Sequence, residues 1–235
     1  MHHVRTLLVT LSVLIALPAP AMAREIKVGL VAGFTGPFAQ FGSEFKRGIE
    51  IFQDERGTKV GNHTVTVIYR DSATKPDAAK RLAEELILQD KVDVIAGIGF
   101  TPEGLAIAPI LTEAKIPGVT FLAGTHFVTR KSPMIVRTSF TLDQMMVPMV
   151  DWAAKEGKVK TGVICVTDYA PGQAAAVTLE EEFKRHGIKV VDVIKMPFES
   201  KDFSVFVQRI KDAKPDAVFV FIPTGTPSIS FMKTV

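Results

Sequence analysis

The stretch Val94-Ile-Ala-Gly-Ile-Gly-Phe-Thr-Pro-Glu-Gly-Leu-Ala-Ile-Ala-Pro-Ile-Leu-Thr-Glu-Ala-Lys-Ile-Pro-Gly-Val-Thr-Phe-Leu-Ala-Gly-Thr125 decides how the rest of the chain is read. It opens as an apolar run and breaks at the small residues from Gly97 to Thr101. It then resumes with apolar residues at helical spacing and ends in a second apolar run and turn. That is a strand, turn, helix, strand, turn unit, the repeat of a parallel α/β sheet. In such sheets the turns that leave the carboxyl ends of the strands open onto a common crevice. The two turns here, Gly99-Phe100-Thr101 and Ala123-Gly124-Thr125, each end in threonine. Together they offer backbone N–H groups and hydroxyls to one small anionic group. Each threonine equally fits an ordinary helix cap or turn.

Toward the N-terminus, Ile26-Lys-Val-Gly-Leu-Val31 reads as a strand, followed by the Gly/Pro turn Gly33-Phe-Thr-Gly-Pro37. Phe41, Phe45, Ile49 and Phe52 then recur every three or four residues, the apolar stripe of an amphipathic helix. Thr64 to Arg70 is a strand in which Ile68 breaks the alternation and implies burial on both faces. Pro76-Asp77 starts a helix carrying Leu82, Ala83, Leu86 and Ile87. The alternation predicts a parallel sheet with helices on both faces.

Beyond Thr125 come a loop with His126, Arg130, Lys131 and Pro133, an extended piece from Met134 to Thr138, and a helix from Leu142 to Glu156. Ser139-Phe-Thr141 reads as a crossover into a second domain, where the rhythm restarts. Strand Thr161 to Val166, turn Thr167-Asp-Tyr-Ala-Pro-Gly172, helix Ala174 to His186 and strand Val190 to Ile194 lead to helix Phe203 to Ala213 and strand Ala217 to Ile222. Three strands with exposed edges are few for a stable unit. The expectation is a second domain that is incomplete, truncated at Val235.

The 235 residues are 47% hydrophobic and 23% charged, ordinary globular composition. The formal charge of +3 is spread without a Lys/Arg block and gives no footing for a nucleic-acid partner. At the N-terminus, His2-His3-Val4-Arg5, an apolar run from Leu7 to Leu17, and Ala21-Met22-Ala23 form the three-part pattern of a secretory signal peptide over residues 1–23. Cleavage is expected near Ala23, with export. A buried N-terminal helix is the competing reading, and the run is too short for a membrane span of ~20 residues. The single cysteine, Cys165, allows no intramolecular disulfide and reads as a small buried hydrophobe.

Catalytic constellations are missing. Gly97-Ile-Gly-Phe-Thr-Pro102 begins like a dinucleotide fingerprint but has Pro102 in place of the third glycine. There is no phosphate-binding G-x-x-x-x-G-K-[ST] loop and no G-x-S-x-G elbow. His63, His126 and His186 have no metal-ligand spacing and read as surface histidines. Glu84-Glu85 and Glu180-Glu181-Glu182 read as solvated helix faces. The expectation is no enzyme, no cofactor and no metal. Among the strand-end residues, Phe41 and Phe100 fit either a cavity wall or the core. Tyr169 fits either a locally packed turn residue or a ring closing over a ligand.

Thr35-Gly-Pro-Phe-Ala-Gln-Phe-Gly42, Gly97-Ile-Gly-Phe-Thr101, Phe121-Leu-Ala-Gly-Thr125, Asp168-Tyr169 and Lys201-Asp-Phe-Ser204 together resemble the landmarks of the periplasmic leucine/isoleucine/valine-binding proteins. These are type I substrate-binding components of ABC-type branched-chain amino acid importers. The resemblance implies two doubly wound α/β lobes, here residues 24–139 and a partial 140–235, closing around a small ligand. It implies that Thr101 and Thr125 hold the ligand carboxylate and that the Ala123 carbonyl helps hold the ammonium. It also implies that Phe41 packs on the ligand side chain and that Tyr169 closes over it. Phe100, Gly124 and Thr224 complete the candidate set. The family's second closing tyrosine is replaced around Pro223-Thr224, and its ammonium-pairing acid would lie beyond Val235. An amino acid is therefore the family default, with other small carboxylates and amides open. The implied partners are that ligand and a membrane permease, with the receptor a monomer. The competing reading is a ligand-sensing receptor ectodomain or regulator on the same fold.

Overall fold

The computed structural model describes residues 23–235, so the predicted signal peptide lies, but for Ala23, outside the described residues. The chain alternates strands and helices and builds two sheets. The first has the order β2-β3-β1-β4-β5-β6, made of β1 (Glu25–Ala32), β2 (Lys59–Val60), β3 (His63–Asp71), β4 (Val94–Gly97), β5 (Gly118–Thr120) and β6 (Ile135–Arg137). All its pairings are parallel except that of β2 with β3. Register places Val31 opposite Gly97, and Gly97 opposite Thr120, so the ends of β1, β4 and β5 align along one edge.

Alternation along the strands separates two faces. Val31 and Ile95 pack with Ala79, Ala83 and Leu86 of α2 (Pro76–Glu85) and Ile107, Ala108 and Leu111 of α3 (Thr101–Ala114). Val28, Val67 and Ala96 point the other way, toward Phe45 and Ile49 of α1 (Ala39–Arg56). On that side the packing is open: a groove of about 600 Å³ runs between α1 and the sheet, and Phe52 is 59% exposed. The predicted stripe of α1 is thus real in direction but only half covered.

Residues 138–141 carry the chain from β6 to α5 (Leu142–Lys155). A capping box fixes the start of α5: Gln144 N–H donates to the Thr141 hydroxyl, and Thr141 N–H donates to the Gln144 side chain. The second sheet has the order β8-β7-β9, all parallel, from β7 (Thr161–Asp168), β8 (Lys189–Pro197) and β9 (Ala217–Phe221). Ile164 and Val166 face α5 and α6 (Ala170–His186), while Val163 and Cys165 face α7 (Ser204–Ala213) and Phe231 of α8 (Thr226–Thr234). Among the described residues no helix is long and apolar enough to cross a membrane.

Several sequence expectations need correction. The loop after Thr125 contains a short helix, α4 (Phe127–Lys131), and β2 was not anticipated; five and two residues are too short to show a period. The second helical stretch ends in a π-helical turn, Leu86–Asp90, closed by Lys91 in the left-handed region at φ 56°. The predicted turn from Thr167 to Gly172 is instead the end of β7 and the first turn of α6. Pro171 is tolerated there because first-turn N–H groups have no intrahelical acceptor. Glycine is needed at 172 because a Cβ would collide with the Thr167 carbonyl oxygen. Glu182, read as solvated, is buried and paired with Arg185. His126 and His186 are partly buried beside acids, His126 Nδ1 lying 2.8 Å from Asp143 and His186 Nε2 3.7 Å from Asp151.

Candidate functional site

The site starts where β4 meets α3. Gly97 has φ 97°, and a Cβ there would collide with the Val31 carbonyl, so the sharp exit from the strand requires glycine. Ile98 follows at φ 44°, a conformation costly for a β-branched residue. It is held by its N–H donating to the Val31 carbonyl at 3.0 Å and by its own carbonyl accepting from the Thr120 hydroxyl at 2.8 Å. Phe100 is the N-cap of α3 in extended conformation and makes no side-chain cap, so the Thr101 and Glu103 amides are left uncapped, while Pro102 has no N–H and the Gly104 N–H donates to the Phe100 carbonyl. Thr101 is 2% exposed and stands at that first turn.

The second turn packs directly behind the first. The Thr125 hydroxyl donates to Thr101 Oγ1 at 3.4 Å, and Thr125 is 1% exposed. Arg137, at the end of β6, donates from Nη1 to the Ala123 carbonyl and from Nη2 to the Thr125 carbonyl at 2.7 Å. Burial lowers the Arg137 pKa, but a guanidinium keeps its charge in proteins. The Ala123–Thr125 turn is thus backed by a cation, and the Ala123 carbonyl, expected to face an ammonium, has a guanidinium as its partner.

Aromatic rings close the space above these turns. Phe38, Phe41 and Phe100 from the first lobe meet Tyr169 and Phe221 from the second around a cavity of about 200 Å³. Phe100 stacks on Tyr169 with ring centroids 6.0 Å apart and planes at 21°, and Tyr169 stacks in turn on Phe221 at 6.3 Å and 20°. Phe198, after β8, joins them at 5.0 Å from Tyr169. Burial pushes the Tyr169 phenol far above its ordinary pKa, so the ring enters any contact as a neutral hydroxyl. Phe140 of the crossover and Met145 of α5 complete the wall.

Of the candidate residues, the structure brings Phe41, Phe100, Thr101, Ala123, Gly124, Tyr169 and Thr224 to this one cavity. Thr125 stands behind Thr101 and reaches the cavity through it. Sequence reasoning did not single out Phe38, Phe140, Phe221 or Arg137. Phe38 had a signal in its position after Pro37 in a Gly/Pro turn, and Arg137 had one at the end of a strand. Nothing local marked Phe140 or Phe221. Among the described residues no cluster of His, Cys, Asp or Glu is arranged to hold a metal.

A network under the aromatic floor fixes the loops. Asp71, at the end of β3, accepts from the amides of Phe34, Thr35 and Ala73 and from the Thr35 hydroxyl. Desolvation opposes its charge, yet these donors hold its carboxyl below the ordinary carboxylate range. Next to it, the Ser72 hydroxyl donates to Glu103 Oε1 at 2.5 Å.

Two α/β lobes with a cavity at the carboxyl ends of their strands are the architecture of the type I periplasmic binding proteins. Residues 25–235 match the periplasmic binding protein family, and the chain belongs to it. It is 41% identical over 227 residues to the Leu/Ile/Val-binding protein homolog 6 of Brucella melitensis, covering 96% of this chain and 58% of that protein. An ABC-transporter solute-binding protein from R. palustris, solved in complex with 4-hydroxybenzoate, is 45% identical with a TM-score of 0.85, over 89% of this chain and 57% of that one. Another from Rhodopseudomonas palustris BisB5, in complex with 3,4-dihydroxybenzoic acid, is 46% identical with a TM-score of 0.84, again over 89% and 57%. The chain thus spans somewhat over half the length of these relatives.

Proposed function

We propose that this chain is the ligand-binding part of a periplasmic solute receptor that holds a small aromatic carboxylate between two lobes and delivers it to the permease of an ABC-type importer. The first lobe is residues 24–139 and the second begins at residue 140, with residues 1–23 as the export signal. The observation that carries the reading is the pairing of an uncapped helix N-terminus at Thr101 with aromatic walls from both lobes. The uncapped Thr101 and Glu103 amides of α3 and the Thr101 hydroxyl take the carboxylate; Phe41, Phe100 and Tyr169 take the ring. At about 200 Å³ the cavity lies below the ~300–1,000 Å³ of drug-sized sites, in keeping with a single-ring molecule. An aromatic acid fits better than the α-amino acid of the family default. Arg137 behind Ala123 favours an anion over an ammonium, and two of the similar structures hold hydroxybenzoates.

Ligand binding shifts the lobes toward the closed form through its higher affinity for that state, and the closed form is what the permease engages. The test is calorimetric titration with 4-hydroxybenzoate, benzoate and leucine. The expected result is binding of the benzoates in preference to leucine. Leucine binding with no benzoate binding would overturn the ligand class, and no binding of any of the three at millimolar concentration would overturn the receptor.

A further inference from the structure

One buried acid stands outside the lining of the ligand cavity. Glu103 lies in the first turn of α3, two residues after Thr101, and is 1% exposed. Among the described residues it makes no ion pair. Its hydrogen-bond partner is the neutral hydroxyl of Ser72, and the charged group that bears on it is another acid, Asp71. Glu103 and Thr74, whose buried hydroxyl lacks a partner, line a small cavity of about 10 Å³. Phe38, Phe41, Gly99 and Phe100 border both the ligand cleft and the small cavity that Glu103 lines.

Two negative charges on either side of an aromatic layer interact strongly, because little water screens them. We propose that Glu103 is a proton-linked positioning residue of the ligand site: when an anionic ligand occupies the cleft, Glu103 takes up a proton, so that anion and proton bind together. This rests on the carboxylate reading given under Proposed function. The balance is simple: one proton moves from solvent to a Glu103 carboxylate oxygen, and the site's net charge is unchanged on binding. Burial already pushes Glu103 up to about 7, and a bound carboxylate raises it further. Below about pH 6 the acid is protonated before the ligand arrives and no proton is taken up. Above about pH 7 affinity falls as pH rises, by up to roughly tenfold per pH unit.

The experiment is titration calorimetry with benzoate, which carries no phenol, at about pH 7.5 in two buffers of unlike ionisation heat. It is paired with ¹³C NMR of the glutamate carboxyls, Glu103 being identified by its loss in Glu103→Gln. The expected result is net proton uptake on binding, with a Glu103 titration midpoint that moves up when benzoate saturates the protein. Glu103→Gln is expected to bind with affinity flat across this pH range. Binding without proton uptake, or a midpoint that does not move, overturns the coupling while leaving the receptor intact. Failure of any benzoate to bind overturns the aromatic-carboxylate reading and this coupling with it.

Discussion

Thr101 and Arg137 act on the same turn from opposite sides. Thr101→Ala removes a hydroxyl from a desolvated anion, and a loss of about 1–3 kcal/mol in carboxylate affinity is expected, measurable by calorimetry. Unchanged affinity would remove Thr101 from the site. Arg137→Gln cannot serve both the Ala123 and Thr125 carbonyls, so it is expected to lower stability as well as affinity, read from the urea midpoint. Glu103 sets a pH dependence of folding whose sign is opposite to that of most acids. Its folded carboxyl, at about 7, lies above the unfolded value of about 4.3, so the folded state binds more protons. The stability it contributes is full below the unfolded value and is lost as pH rises through 7. The expected loss is roughly 4 kcal/mol at most, and Glu103→Gln should abolish it in urea titrations across pH. At Cys165 burial pushes the thiol up to about 12, and the side chain is fully enclosed. Reaction with a thiol reagent is therefore expected only on unfolding.

At the scale of elements, α6 shows what local pattern reading misses. Pro171 and Gly172 spell a turn, yet they are the first turn of a helix whose start is pressed against the end of β7. Gly172→Ala is expected to cost about 1–3 kcal/mol, because helix and strand must part, and to displace Tyr169 at the N-cap. A fall in stability without loss of ligand binding would show that Tyr169 is positioned by other contacts. The unit from Val94 to Thr125, by contrast, was legible throughout. Its apolar runs are bounded by glycine and proline, and the strain at Gly97-Ile98 falls where the turn was read. The aromatic wall was legible only in part. Phe100 and Tyr169 sit at strand ends in sequence, whereas Phe221 belongs to the wall only because β9 pairs with β7. Arg137 likewise gains its role from β6 lying beside β5, a fact of tertiary pairing that no spacing encodes.

Over the whole molecule, the two sheets differ in how well they are covered. Parallel sheets are commonly buried on both faces, yet the groove beside α1 leaves Ile49 and Phe52 facing Val65 and Val67 across open space, while Phe45 packs edge-on against Phe121 at its rim. Binding of a hydrophobic dye to the native protein is expected, and its suppression by Phe52→Lys would locate the dye there. The aromatic stack has a practical consequence as well. The chain has one tryptophan and two tyrosines. Trp152 is 63% exposed on α5, and Tyr69 lies in the first lobe beneath Lys46, so only Tyr169 stands in the cleft. The molecule carries its own optical reporter: with benzoate, which absorbs at shorter wavelength, the tyrosine shoulder of the ultraviolet difference spectrum should register ligand arrival, persist in Tyr69→Phe and be lost in Tyr169→Phe.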